Sequence, residues 1–75
     1  MQLKYDSKIE GDFEGWDGDA VYELTNGTKW QLSKYTYKYK YKYRPKVKLW
    51  KDGNQYYLEV ECMSEKMKVR PFDDN

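Results

Sequence analysis

The sequence predicts an all-β fold, either a small SH3-like barrel or a rolled antiparallel sheet of five or six strands. Three observations point there. Apolar and polar residues alternate with period two along most of the chain, and no amphipathic helical stretch interrupts them. Glycine-bearing turn signals recur between the alternating segments. Nine Tyr, three Trp and two Phe in 75 residues give the bulk for a thin core, too much for a disordered chain. An OB-like barrel fits less well, because it usually carries a helix.

In chain order, Ile9, Gly11 and Phe13 alternate with Glu10, Asp12 and Glu14 and predict a first strand. Gly15-Trp16-Asp17-Gly18-Asp19 reads as a turn. Residues 20–24 form a second strand, and Asn26-Gly27 predicts a type I′ hairpin leading into a third strand over 29–33. Trp30 and Leu32 share a face there. Residues 35–44 form a long alternating run that Pro45 ends or confines to an edge. Val47 and Leu49 face the core from the next strand, and Asp52-Gly53-Asn54 turns the chain. Leu58, Val60 and Cys62 then face one way, while Tyr57, Glu59 and Glu61 face the other. Met67 and Val69 point inward from a last strand near residues 66–70. The expected organisation is one domain over 1–75, with a core at about 8–70 and a short polar C-terminal tail that frays.

Net charge is +1, yet the signs are segregated. Residues 1–27 hold two lysines against seven acids, residues 28–51 hold nine basic residues and no acid, and residues 52–75 hold three basic residues against six acids. Such a band either faces an external polyanion or is neutralised by acidic strands of its own fold or of a neighbouring copy.

The run from Tyr35 to Arg44 carries the most unusual pattern. Tyr35, Tyr37, Tyr39, Tyr41 and Tyr43 share one side of an extended chain, with Lys38, Lys40, Lys42 and Arg44 on the other. A nucleic-acid groove brings aromatic platforms and basic groups to the same ligand, which strict alternation opposes. Ten extended residues would span roughly 33 Å, beyond an ordinary strand, so the run must bend across two sheets or project. The expectation is that the tyrosines cover the core or a dimer contact while the lysines form a basic outer stripe. Trp50, out of phase with Val47 and Leu49, is the expected exposed anchor for a partner.

Catalytic and metal chemistry find little footing. There is no histidine, and Cys62 is a lone thiol, expected to be buried and inert. Asp12, Glu14, Asp17 and Asp19 lack the spacing of a calcium loop, and Gly11, Gly15 and Gly18 do not make a phosphate loop. Glu59 and Glu61 read as a solvated face rather than an acid/base pair. No enzyme activity, cofactor or metal is expected. No apolar run has the length of a signal peptide or membrane span, and with one cysteine the expectation is a cytoplasmic protein without membrane association.

The string Phe13-Glu14-Gly15-Trp16-Asp17-Gly18, Glu23-Leu24-Thr25-Asn26-Gly27, Trp30, and Tyr-x-Tyr-x-Tyr-x-Tyr-x-Tyr43-Arg44-Pro45-x-Val47 resembles a small bacterial domain of uncharacterised proteins. That domain occurs as short stand-alone chains or terminal appendages. The resemblance spans about residues 9–70 and implies a compact β-domain in a bacterial setting, with no activity attached.

The leading functional expectation is a non-enzymatic interaction module that forms a homodimer or binds another protein through Tyr35, Tyr37, Tyr39, Tyr41, Tyr43 and Trp50. The alternative is a nucleic-acid-binding barrel using Lys38, Lys40, Lys42, Arg44, Lys46 and Lys48 on phosphates.

Overall fold

The computed structural model describes residues 1–72; the expected fraying of the polar tail at 73–75 lies outside them. The described chain is all-β, with eight strands and no helix: β1 (Gln2–Lys8), β2 (Asp12–Gly18), β3 (Val21–Glu23), β4 (Lys29–Leu32), β5 (Thr36–Tyr43), β6 (Lys46–Asp52), β7 (Gln55–Val60) and β8 (Lys66–Pro71). Six of them form an antiparallel sheet in the order β1-β6-β7-β8-β4-β3, and β2 and β5 form a separate antiparallel ribbon. Neither sheet closes into a barrel. Among the described residues the edges of the large sheet meet around Ile9, which bridges Leu24, with the Thr25 N–H donating to the Lys8 carbonyl, the Glu10 N–H to that of Glu23, and the Ser7 and Thr25 hydroxyls hydrogen-bonded beside them.

The central strands follow from their alternation. Val47 lies across from Val60, Leu49 from Leu58, and Leu58 from Met67, so one face of β6-β7-β8 is continuously apolar and buried. On the opposite face Asp6, Lys48, Glu59 and Lys66 occupy successive cross-strand positions, a row of alternating sign. Part of the central basic band is thus set among acids of its own sheet.

Three local expectations need correction. The segment 15–18, read as a turn, continues β2, and Trp16 within it is buried in the core. Residues 2–8, given no strand by the sequence, form β1; its mostly exposed side chains lack the apolar signal, and pairing with β6 holds it. The Asn26-Gly27 turn is not type I′, since only Gly27 has positive φ (88°). The Gly27 N–H donates to the Leu24 carbonyl at 3.0 Å and the Leu24 N–H to the Thr28 carbonyl at 2.8 Å, the pattern of a three-residue loop ending in a left-handed glycine.

The long Tyr-Lys run is accommodated by a corner. β1 pairs with β6 down to Lys8–Lys46, and β2 pairs with β5 from Asp12–Tyr43, so the two ladders are one bent two-stranded track. At the bend the Ile9 N–H donates to the Pro45 carbonyl and the Arg44 N–H to the Gly11 carbonyl, both at 3.0 Å. Gly11 and Arg44 both take positive φ there.

Phe13, Trp16 and Tyr22 join the ribbon to the sheet. Their ring centroids lie 5.5 to 5.8 Å apart in tilted or edge-to-face contacts, and the Tyr22 hydroxyl donates to the Gly15 carbonyl at 2.6 Å. Burial pushes the Tyr22 hydroxyl up to about 12; a hydrogen bond with the Asp17 backbone opposes this, and the charge of Asp17 adds to it. The raised value has a definite sign. The stabilisation is intact below the unfolded pKa near 10 and is lost as pH rises towards 12, because the unfolded chain releases its proton first. Over that window stability should fall by about 2 kcal/mol. Denaturant titrations of the parent and Tyr22→Phe from pH 9 to 12 check this; an equally steep fall in the variant would assign the loss elsewhere.

Candidate functional site

β5 is hydrogen-bonded on one side only, to β2, and its other edge has no strand partner among the described residues. Apart from the half-buried Thr36, every residue of the strand is exposed. Tyr35, Tyr37, Tyr39, Tyr41 and Tyr43 are each between 53% and 75% exposed, so they do not cover the core. The sequence left open a core role for them; the structure gives the core on this side to Phe13 and Trp16 of β2.

The tyrosine side of the ribbon is also acidic. Asp12 lies directly across from Tyr43 and Asp17 across from Tyr37. The Tyr41 hydroxyl donates to Asp12 Oδ1 at 3.0 Å. That donation to a carboxylate raises the Tyr41 pKa above its ordinary value, with lesser contributions from desolvation and from the charges of Asp12, Tyr39 and Glu14. Between the strands a shallow cleft of about 320 Å³ is lined by Glu14, Trp16, Asp17, Tyr37, Lys38 and Tyr39. The ladder here is irregular: from Phe13–Lys42 to Gly15–Tyr39 the register shifts, leaving Lys40 and Tyr41 opposite Glu14 alone.

The basic residues are dispersed. Lys38, Lys40 and Lys42 lie along β5, with Lys38 across from Trp16 and Lys42 across from Phe13. Lys42 Nζ is 3.6 Å from Glu61, and Arg44 at the corner is 3.9 Å from Glu10. Lys46 and Lys48 belong to the other sheet, where they line a groove of about 760 Å³ with Asp6, Lys8, Glu59 and Glu61 among its walls. The six candidate phosphate ligands therefore divide between two sheets and the corner that joins them, and acids stand beside several of them.

Trp50 lies on the outer face of β6 as its phase implies, but it is half-buried and engaged. Its indole N–H donates to Glu59 at 2.8 Å, and Lys66 Nζ lies 5.6 Å from the ring centroid. Glu59 and Glu61 are thus partners of Trp50 and Lys42 rather than a simply solvated face. Cys62, expected to be buried, follows β7 in a turn and is half-buried against the core.

Asp12, Glu14 and Asp17 are the members of this surface that the sequence did not assign to it. Asp12 and Glu14 carried a strand signal, but nothing local announced that their strand pairs with the tyrosine run. Among the described residues, no group of three or more acids and cysteines is placed to hold a metal ion, and no helix is long and apolar enough to cross a membrane. Comparison with known protein families, curated proteins and solved structures finds no match.

Proposed function

We propose that this chain is a non-enzymatic protein-interaction module that docks a protein strand along β5. The observation that carries the reading is the free edge of β5 together with four exposed tyrosines on that strand and a fifth, Tyr35, just before it. An unpaired strand edge offers a row of backbone donors and acceptors to another chain, and exposed side chains at alternate positions set which chain is accepted. Tyrosine suits such a contact, since each ring supplies broad area at the cost of few rotatable bonds and keeps a polar tip. We read the large sheet, whose edges meet around Ile9–Leu24, as a partly rolled relative of a small barrel that leaves the ribbon outside it.

Nucleic acid is the weaker fit to the same strand. The rings that would stack bases stand beside Asp12, Glu14 and Asp17, which repel phosphate, while of the β5 lysines only Lys38 borders the same cleft.

Tyr39→Ser is expected to weaken protein docking while changing folding stability by less than about 0.5 kcal/mol, because the ring lies outside the core. Light scattering across concentration, at low and moderate salt, with and without a short single-stranded oligonucleotide, reads the competing case. A rise in mass that requires the oligonucleotide and disappears with salt would replace this reading with nucleic-acid binding.

A further inference from the structure

We infer that the occupant of the tyrosine strand is an extended protein segment bearing arginine or lysine at alternate positions, added to the free edge of β5 with its cationic side chains over the tyrosine face. This rests on the docking reading above and names the partner's chemistry.

Charge complementarity selects it. The rings of Tyr37, Tyr39 and Tyr41 present electron-rich faces, and Asp12, Glu14 and Asp17 stand among them on the neighbouring strand. A cation over such a ring gains from the ring quadrupole, and a carboxylate within reach adds a second attraction. Tyrosines two residues apart match the two-residue repeat of an added strand, so alternate side chains of the segment each meet a ring. The cleft of about 320 Å³ lined by Glu14, Trp16, Asp17, Tyr37, Lys38 and Tyr39 has room for one long side chain, and its two carboxylates outnumber its single lysine. The strand's own lysines alternate with the tyrosines and, apart from Lys38, which also borders the cleft, stand beside the segment's intervening residues and favour neutral or acidic ones.

A second copy fits less well, for a geometric reason. If β5 pairs with its own copy about a two-fold axis normal to the ribbon, the residue on the axis faces itself. Every residue then faces one of the same parity, so lysines stand across from lysines, which is destabilising. A heterologous segment carries no such constraint.

The test uses the full chain and three labelled synthetic peptides, alternating Thr-Arg, Thr-Glu and Thr-Gln, followed by fluorescence anisotropy at moderate salt. Thr-Arg is expected to bind roughly ten-fold more tightly than Thr-Gln, a difference of about 1.4 kcal/mol. The combined Asp12→Asn, Glu14→Gln, Asp17→Asn variant should cut that preference to about three-fold or less, the remainder coming from the rings. Tyr39→Ser should weaken all three peptides, and unchanged thermal unfolding verifies that both variants are folded. Tighter binding of Thr-Glu than Thr-Arg would overturn the cationic partner and leave the docking strand in place. Dimerisation of the chain that ignores every peptide would do the same, with a second copy as occupant. If no peptide binds and the chain stays monomeric by light scattering, the docking reading falls together with the inference.

Discussion

Gly15→Ala is expected to cost at least about 3 kcal/mol, a large share of the stability of so small a domain. Gly15 has φ of +94°, a region in which a side chain is strained by about 1–2 kcal/mol. A Cβ there would also run into the backbone of β5, colliding with the Lys38 carbonyl oxygen and standing 2.7 Å from the Lys40 nitrogen. Backbone cannot swing aside as a side chain can, so β5 must separate from β2 or the ladder must shift. Either response also disturbs the bond from the Tyr22 hydroxyl to the Gly15 carbonyl. Urea unfolding measures the loss. Gly11→Ala is the matched control, with φ of +86° and nothing within 4 Å of the added atom, and should lose only about 1 kcal/mol. Equal losses in the two variants would show that dihedral strain, rather than contact with β5, governs position 15.

Trp16→Ala should be comparably severe, at about 3–5 kcal/mol. Trp16 is buried and sits edge-on to both Phe13 and Tyr22, so truncation opens a cavity at the junction of ribbon and sheet. Trp16→Phe separates the contributions. It keeps an aromatic ring in place and removes an indole N–H that has no hydrogen-bond partner among the described residues. Burying such a donor unpaired is unfavourable, so losing it offsets part of the lost volume. The phenylalanine variant should therefore retain most of the stability that the alanine variant loses. Similar denaturation midpoints for the two would mean that the six-membered ring contributes little to the junction.

The core strands were legible because one face of each is apolar. Trp30 with Leu32, Val47 with Leu49, Leu58 with Val60, and Met67 with Val69 are all buried, and period-two alternation is enough to name them. β1 escaped notice because an edge strand that buries little carries little pattern. β2 was cut short because Gly15 and Gly18 are turn residues by local chemistry. Here they serve close approach, Gly15 to the backbone of β5 and Gly18 to the Tyr37 hydroxyl. The tyrosine surface was half legible. Alternation put the rings on one side, but the carboxylates among them come from a strand about twenty to thirty residues earlier. Pairing between distant segments leaves no trace in local periodicity.

The bent track of β1-β2 against β5-β6 also constrains the order in which the molecule can assemble. Gln2 finds its partner in Lys51 and Gly18 in Thr36, so the second strand has no ladder to join until the fifth has been made, nor the first until the sixth. The hairpins β3-β4, β6-β7 and β7-β8 need only neighbours and can close early. Closing the long track draws together ends separated by most of the chain, a loop-entropy barrier that slows folding. Until it closes, the tyrosine strand has both edges bare. The period of greatest aggregation risk therefore coincides with the slowest step, and the lysines spaced along β5 serve as gatekeepers during that interval.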